Sequence, residues 1–468
     1  MSRQPFPRRA GAVLLAALAA SFAPVSFGPA SAQTEAEQAR CDTLLEVLAL
    51  SVANSPEVNA ARARRERSEA DLLSARSVRR PQVSTFARTQ AGDNGLTGDN
   101  FDNTVGLRVS QRVFDFGTSA LDIAAARSDV EARVAAISSA RNQAALETAR
   151  SYVRLQATRE RLAITAERVE YFERQLRALR TALDLGGATR ADVAEIAARL
   201  EEARADRLEL EFQRERFLTQ LSSDTGRIVE VCDGEGGTLP RLQGQTVDLV
   251  NRALRRNGEV GALEADIRAQ ESRVEFERRN RLPAIDVVGI ASYARAGGGG
   301  FGDNWEYRDR VGVELNVPIL SGRRLQADRR RESATLGLRR SELVGLRRDL
   351  SEDIEVARRR ALSLEAQLLR RRDVVRRQQE QFAAAQAEFE AGLRVLPELV
   401  EDRLDLERAR LDVVDVRETL GEERAALTAL VGGLDAVAVR PPSSGAVPST
   451  TPVLITVPVP VPSQPDTP

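Results

Sequence analysis

The sequence predicts a mixed α/β chain made mainly of very long α-helices, with four strands arranged as two hairpins. Three observations carry this reading. Aromatic residues are only 4% of the 468 residues while charged residues are 29%, so Leu and Ala must form the core, which suits helices packed along their length rather than around a centre. Two proline-free Ala/Leu/Arg runs, from about residue 118 to 185 and from about 325 to 390, are each far longer than a globular helix. The order helix, alternating hairpin, long helix, glycine turn and helix occurs twice.

The chain opens with Arg3, Arg8 and Arg9, an apolar run from Gly11 to about Ala23, and small residues at Ala30-Ser31-Ala32. This pattern reads as a secretory leader cleaved after Ala32. An uncleaved span would need a longer apolar run. No cysteine ends the apolar region, which argues against a lipid anchor. Without the three leader arginines, the 68 basic residues fall to 65 against 69 acidic, a formal charge of -4. A polyanion wants a net basic face, so nucleic acid is a poor candidate partner. Both cysteines, Cys41 and Cys232, would be exported to an oxidising compartment that permits a disulfide. Distance decides between a bond and two thiols, and spacing in sequence does not give it.

Residues 33–235 form the first repeat. A helical pattern over 42–79 is interrupted at Asn54-Ser55-Pro56, where Ser55 is a cap candidate and Pro56 suits the first turn of a new helix. Pro81 ends that helix. A run from Gln82 to about Gln90 and the alternating "VGLRVSQRVF", with Val105, Leu107 and Val109 on one face, read as a hairpin around "AGDNGLTGDNFDN". Thr118 or Ser119 would cap the long helix that follows, whose roughly 65 residues span on the order of 100 Å. Gly186-Gly187 break it, and another helix continues from about Thr189 to Arg227.

Residues 236–433 repeat the order. "RRNGEVGALEAD" answers "ANSPEVNAARAR", pairing Asn257 with Asn54 and Pro283 with Pro81. A hairpin with tip "RAGGGGFGDNWEYRD" leads to "VGVELNVPILSG", residues 311–322, with Val311, Val313, Leu315 and Val317 on one face and Gly312, Glu314 and Asn316 on the other. Pro318 and Gly322 suit the exit from strand to helix. In the second long helix, Leu343, Leu346, Leu350, Ile354, Ala357, Ala361, Leu364 and Leu368 form a heptad-like seam, and Leu362, Leu369 and Val375 fall off it as a second contact face. Gly392 stands opposite Gly186, and Glu398 opposite Asp192. A lone two-stranded coiled coil would need one seam and no hairpins. The tail, residues 434–468, has nine prolines from Pro441 onward and favours extended polyproline conformations.

Four strands cannot close a barrel alone, and open edges are not tolerated in lipid; three chains would supply twelve strands. The same alternation also fits a half-buried sheet packed on helices. Enzyme chemistry finds no histidine and two cysteines remote in sequence. A periplasmic adaptor or structural coiled coil would place one helical hairpin between small β domains, not two hairpins between sets of helices.

From about Asp42 to Gly433, the duplicated set "RRPQVS" or "RLPAID", hairpin, "VGLRVSQRVFDFG" or "VGVELNVPILSG", long helix and glycine turn resembles the TolC family of trimeric outer-membrane channel proteins, of the non-lipidated type. The resemblance implies a homotrimer in outer-membrane lipid, with a 12-stranded β-barrel continued by a periplasmic α-helical barrel. It also implies a periplasmic adaptor (membrane fusion) protein and an inner-membrane ABC or RND transporter as partners, no cofactor, and passive export of proteins or small molecules. Carried onto this chain, the family pattern puts Gly392 at the turn and Glu398 and Glu401 in a double acidic ring at a channel constriction. Arg394 matches a latch arginine, but the position of its acidic partner holds Arg177. Glu173, Asp184 or a different network must then serve.

Overall fold

The computed structural model describes residues 41–93, 99–231, 239, 241–242, 244–297, 305–317 and 322–434. The leader at 1–32, Cys232, Pro318 and the tail beyond Leu434 lie outside them. The chain divides into residues 1–41, of which only Cys41 is described, and residues 42–468, to which everything below refers.

Each half opens with two short helices. Helix α1 (Leu44–Asn54) starts in a capping box between Thr43 and Glu46. Helix α2 (Pro56–Ser77) starts at Ser55, whose hydroxyl accepts from the Val58 N–H at 3.3 Å. In the second half, helix α5 (Thr246–Arg256) gives way to α6 (Gly258–Arg279) at Asn257, whose side-chain oxygen accepts from Glu259 and Val260 N–H. Asn257 therefore corresponds to Ser55 and not to Asn54. Pairing like letters slipped the expected register by one residue, because the shared feature is the cap and not the amide.

The strands β1 (Gln82–Asp93), β2 (Asp99–Phe114), β3 (Ala284–Gly297) and β4 (Glu306–Asn316) form one antiparallel sheet in the order β1-β2-β3-β4. The β2–β3 pairing joins the two repeats, with Val105 opposite Tyr293 and Leu107 opposite Ala291. Both β1 and β2 run further into the turn-forming segment than its composition predicts. The ladder continues to Asp93 opposite Asp99, and cross-strand pairing overrides local propensity there. A register shift between Arg112 and Phe114 puts Phe114 opposite Ile285, a bulge where the strand prepares to leave the sheet.

Helix α3 (Thr118–Asp184) and α7 (Arg324–Glu390) are both 67 residues long, about 100 Å each. Neither Thr118 nor Ser119 caps α3. The cap residue is Gly117, in the left-handed region, and the Asp115 carboxylate accepts from the Gly117 and Ser119 N–H groups at 3.0 and 2.9 Å. A carboxylate placed before the first turn satisfies two orphan donors and meets the positive end of the helix dipole. Burial pushes Asp115 up, yet the Ser119, Gly117 and Thr118 donors outweigh it and hold the carboxyl below its usual value.

The long helices pair with α4 (Arg190–Thr225) and α8 (Leu396–Leu430). The core is a series of separate clusters strung along them. One gathers Leu44, Leu48, Tyr152 and Leu221; another gathers Leu249, Leu350, Ile354 and Leu427. The α7 seam is observed: Leu350, Ile354, Ala357, Ala361 and Leu364 are buried, and Leu343, Leu346 and Leu368 pack partly buried against them. Seventeen residues are buried on α3 but only six on α7, so α7 keeps an uncovered face that includes Leu362 and Leu369.

Candidate functional site

The two helical hairpins end in matching turns. Gly186 and Gly392 take φ of +77° and +73°, a region that favours glycine. Gly187 N–H reaches back to Ala182 O at 2.7 Å, and Leu393 N–H to Glu388 O at 2.9 Å, so orphan carbonyls of both incoming helices are satisfied alike. The outgoing helices differ. Thr189 and Asp192 cap α4 reciprocally, with Thr189 N–H to Asp192 Oδ2 at 2.9 Å and Asp192 N–H to Thr189 Oγ1 at 3.2 Å. Helix α8 begins at Val395 with no side-chain cap and with Pro397 in its first turn.

In place of a cap, the second end carries a fan of charges around Arg394. Its guanidinium lies 2.9 Å from Asp402, 3.1 Å from Glu388 and 3.5 Å from Glu398. Asp402 is buried and also accepts from Gln381 Nε2 at 2.7 Å. The acids considered on α3 play no part in this network. Glu173 pairs with Arg204 at 2.8 Å, Asp184 is exposed, and Arg177 is exposed. Within one chain, Arg394 closes on its own hairpin.

Glu398 and Glu401 lie on the solvent side of α8, with side chains 60% and 59% exposed. Glu401 stands 3.6 Å from Arg408 and 3.9 Å from Arg199 on α4, so cations of both hairpins partly balance the carboxylates. Asp405 is bound to Arg408 at 2.7 Å.

One cluster beside this end escaped the sequence reading. Arg403 is buried, with its guanidinium carbon 5.4 Å from the Tyr171 ring centroid and 5.8 Å from that of Phe382. One turn on, Glu407 is 2% exposed. Its only ion pair among the described residues is with Arg168 at 3.3 Å, and neither carboxylate oxygen makes a hydrogen bond there. Burial pushes Glu407 up against the pull of Arg168 and Arg403, and burial lowers Arg403. A signal was present: Arg403 and Glu407 occupy inward positions of a stripe that runs Leu396, Leu399, Val400, Leu406, where polar residues on an apolar face mark a buried network.

The sheet is the second element of the site. Antiparallel partners share a face, so the register puts Val83, Val105, Leu107, Val109, Val311 and Val313 together. Exposure falls along β4 and its end from 83% at Val311 through 70% at Val313 and 61% at Leu315 to 40% at Val317. Aromatic residues mark the two ends of this apolar face. Tyr293 and Tyr307 pair at 5.3 Å near the hairpin tips, and Phe114 and Phe116 at 4.7 Å near the helices. The strand edges β1 and β4 each have one neighbour. Among the described residues, no helix is long and apolar enough to cross a membrane.

A model of the outer membrane efflux protein family matches residues 47–227 and again 249–433, one match for each repeat. The outer membrane efflux protein BepC of Brucella suis is 24% identical over 396 residues, covering 84% of this chain and 82% of its own length. Among solved structures, a membrane protein from Pseudomonas aeruginosa superposes with a TM-score of 0.73 at 19% identity, over 84% of this chain and 91% of that one. The open-state MtrE outer membrane channel of Neisseria gonorrhoeae gives 0.72 at 16%, over 84% and 89%. With both repeats matched, the chain belongs to the outer membrane efflux protein family, the TolC-type non-catalytic outer-membrane channels of tripartite efflux and secretion systems.

Proposed function

We propose that three copies of the chain close one 12-stranded barrel in the outer membrane, with their long helices forming a periplasmic tunnel. The observation that carries this reading is the four-stranded sheet with two unpaired edges and one face that is apolar but for polar positions such as Asp309, next to Tyr307. Open edges in hydrocarbon leave backbone groups unsatisfied, and pairing β4 of one chain with β1 of the next removes them. Val311, Val313, Leu315 and Val317 then meet lipid. Nine residues separate Val105, the partner of Tyr293, from Phe114, about 23 Å of height at a 40° tilt, which agrees with an apolar band between aromatic girdles. The uncovered face of α7, with Leu362 and Leu369, becomes a contact between subunits.

The second hairpin end forms the periplasmic constriction in this reading. Threefold symmetry gathers Glu398 and Glu401 into a double ring that favours cations, and Arg394 latches the closed state through Asp402, Glu388 and Glu398. Opening follows engagement by a periplasmic adaptor and an inner-membrane transporter of ABC or RND type. The cargo is exported protein or small molecules, and the transporter that copurifies with the channel decides which. Asp42 forms a parallel bridge with Val231, which supports a disulfide between their chain neighbours Cys41 and Cys232.

Fractionation and electrophoresis test the assembly. A heat-resistant trimer in the outer membrane is expected, and a soluble periplasmic monomer would overturn it. In planar bilayers, Glu398→Gln/Glu401→Gln channels are expected to lose cation preference; an unchanged reversal potential would reject the acidic ring.

A further inference from the structure

The face of the sheet opposite the valines is charged, and its balance is uneven. The register puts Arg88 on β1, Arg108 and Arg112 on β2, and Arg308 and Arg310 on β4 together on it. By register four carboxylates share the face, with Asp102 on β2 opposite Gln90 as the fourth. Asp286 binds Arg112 at 3.1 Å, Glu314 binds Arg108 at 3.0 Å, and Glu306 binds Arg308 at 3.0 Å. The first joins the adjacent strands β2 and β3, the second reaches from β2 across β3 to β4, and the third lies within β4. Arg310 has no carboxylate partner among the described residues, and five arginines against four carboxylates leave an excess of one positive charge per chain.

Closing the barrel does not remove the excess. The edge that would meet β4 is β1, whose residues on this face are Gln82, Ser84, Phe86, Arg88 and Gln90, none of them acidic. New contacts redistribute partners but leave the sum, three for three chains. Guanidinium groups stay protonated at every physiological pH. A 12-stranded barrel at ordinary strand spacing and tilt is about 24 Å across its backbone, so arginine heads reach within about one Debye length of the axis. Cargo cannot pass without meeting this field.

We propose that the barrel lumen is an arginine belt that binds acidic polypeptide segments of cargo, opposite in sign to the carboxylates at the helical end. The inference rests on the trimeric barrel reading. From Arg112 to Thr104, the partner of Arg88, the cations span about 20 Å of barrel height. That is longer than a small organic acid, so only a polymer engages several of them at once. Phe86 adds an apolar step on the same face. Its ring lies over Gly106, where an added Cβ would come within 3.0 Å of Phe86 Cζ and 2.7 Å of Ala291 O.

Native channels in planar bilayers at low salt test this with poly-L-glutamate added on the barrel side. Block is expected, and Arg88→Gln/Arg310→Gln should require a roughly tenfold higher concentration for half-block. Glu398→Gln/Glu401→Gln should leave that concentration unchanged. Absence of block, or equal block in the arginine variant, would overturn the belt. Equal block per carboxylate by monomeric glutamate would overturn the polypeptide as its occupant. Failure to form channels or heat-resistant trimers at all would instead refute the barrel reading on which the belt depends.

Discussion

Gly186 and Gly392 turn the chain with nearly the same φ, and six residues later Asp192 and Glu398 both stand at the third position of the next helix. From there the two hairpin ends diverge. Asp192 closes a capping box with Thr189, so the start of α4 is fixed by residues three apart. Glu398 closes nothing with Val395; it joins Arg394, which also reaches Asp402 and Glu388. A local cap persists whatever its surroundings do, whereas a fan of ion pairs can exchange partners when another surface approaches. In the proposed channel the first end is therefore the rigid one and the second the one that switches.

The largest expected effect lies behind the second end. Arg403→Ala removes a buried guanidinium that lies against both Tyr171 and Phe382, and should lower stability by about 3 kcal/mol through lost packing and cation–π contact. Thermal melting of the purified protein measures it, and an unchanged melting temperature would show that the cluster does not anchor α8 to α3.

Arg394→Ala leaves buried Asp402 with Gln381 alone, for an expected loss of about 2 kcal/mol. Thr189→Ala loses a cap, about 1 kcal/mol. If the two variants melted in the reverse order, the contrast between the ends would fail.

The smallest expected effect is Glu407→Gln, under about 1 kcal/mol at neutral pH, because a carboxyl raised by burial is already disfavoured in its charged form. The two ends differ in sign with pH. Folded protein binds the extra proton at Glu407 between its unfolded and raised values, so that contribution to stability falls as pH rises through the window. At Asp192, the Thr189 N–H and hydroxyl hold the carboxyl low, so its contribution is present above the unfolded value and lost as pH falls. Melting curves of Glu407→Gln and Asp192→Asn across pH should lose opposite slopes.

Much of the architecture was legible in the sequence because periodicity reports which side of an element is inside. The α7 seam, the alternating strands and the paired glycine turns all follow from residue spacing. What spacing does not report is the partner. Asn257 shares its residue type with Asn54 but its place as a helix cap with Ser55. Thr118 and Ser119 were reasonable caps by type, but Gly117 bends the chain so that Asp115 reaches the helix first. Of the alternatives open to Arg394, Glu173, Asp184 or a different network, spacing chooses none, and its partners within the chain lie on α7 and α8. Arg168 and Glu407 meet across 239 residues, a contact that only the packing of α3 on α8 creates.

Single-channel conductance in planar bilayers tests the central claim that the second hairpin end, and not the first, holds the channel closed. Arg394→Ala is expected to raise conductance several-fold over the native channel while Thr189→Ala leaves it unchanged. Equal conductance of Arg394→Ala and the native channel, or an equal rise in both variants, would contradict it.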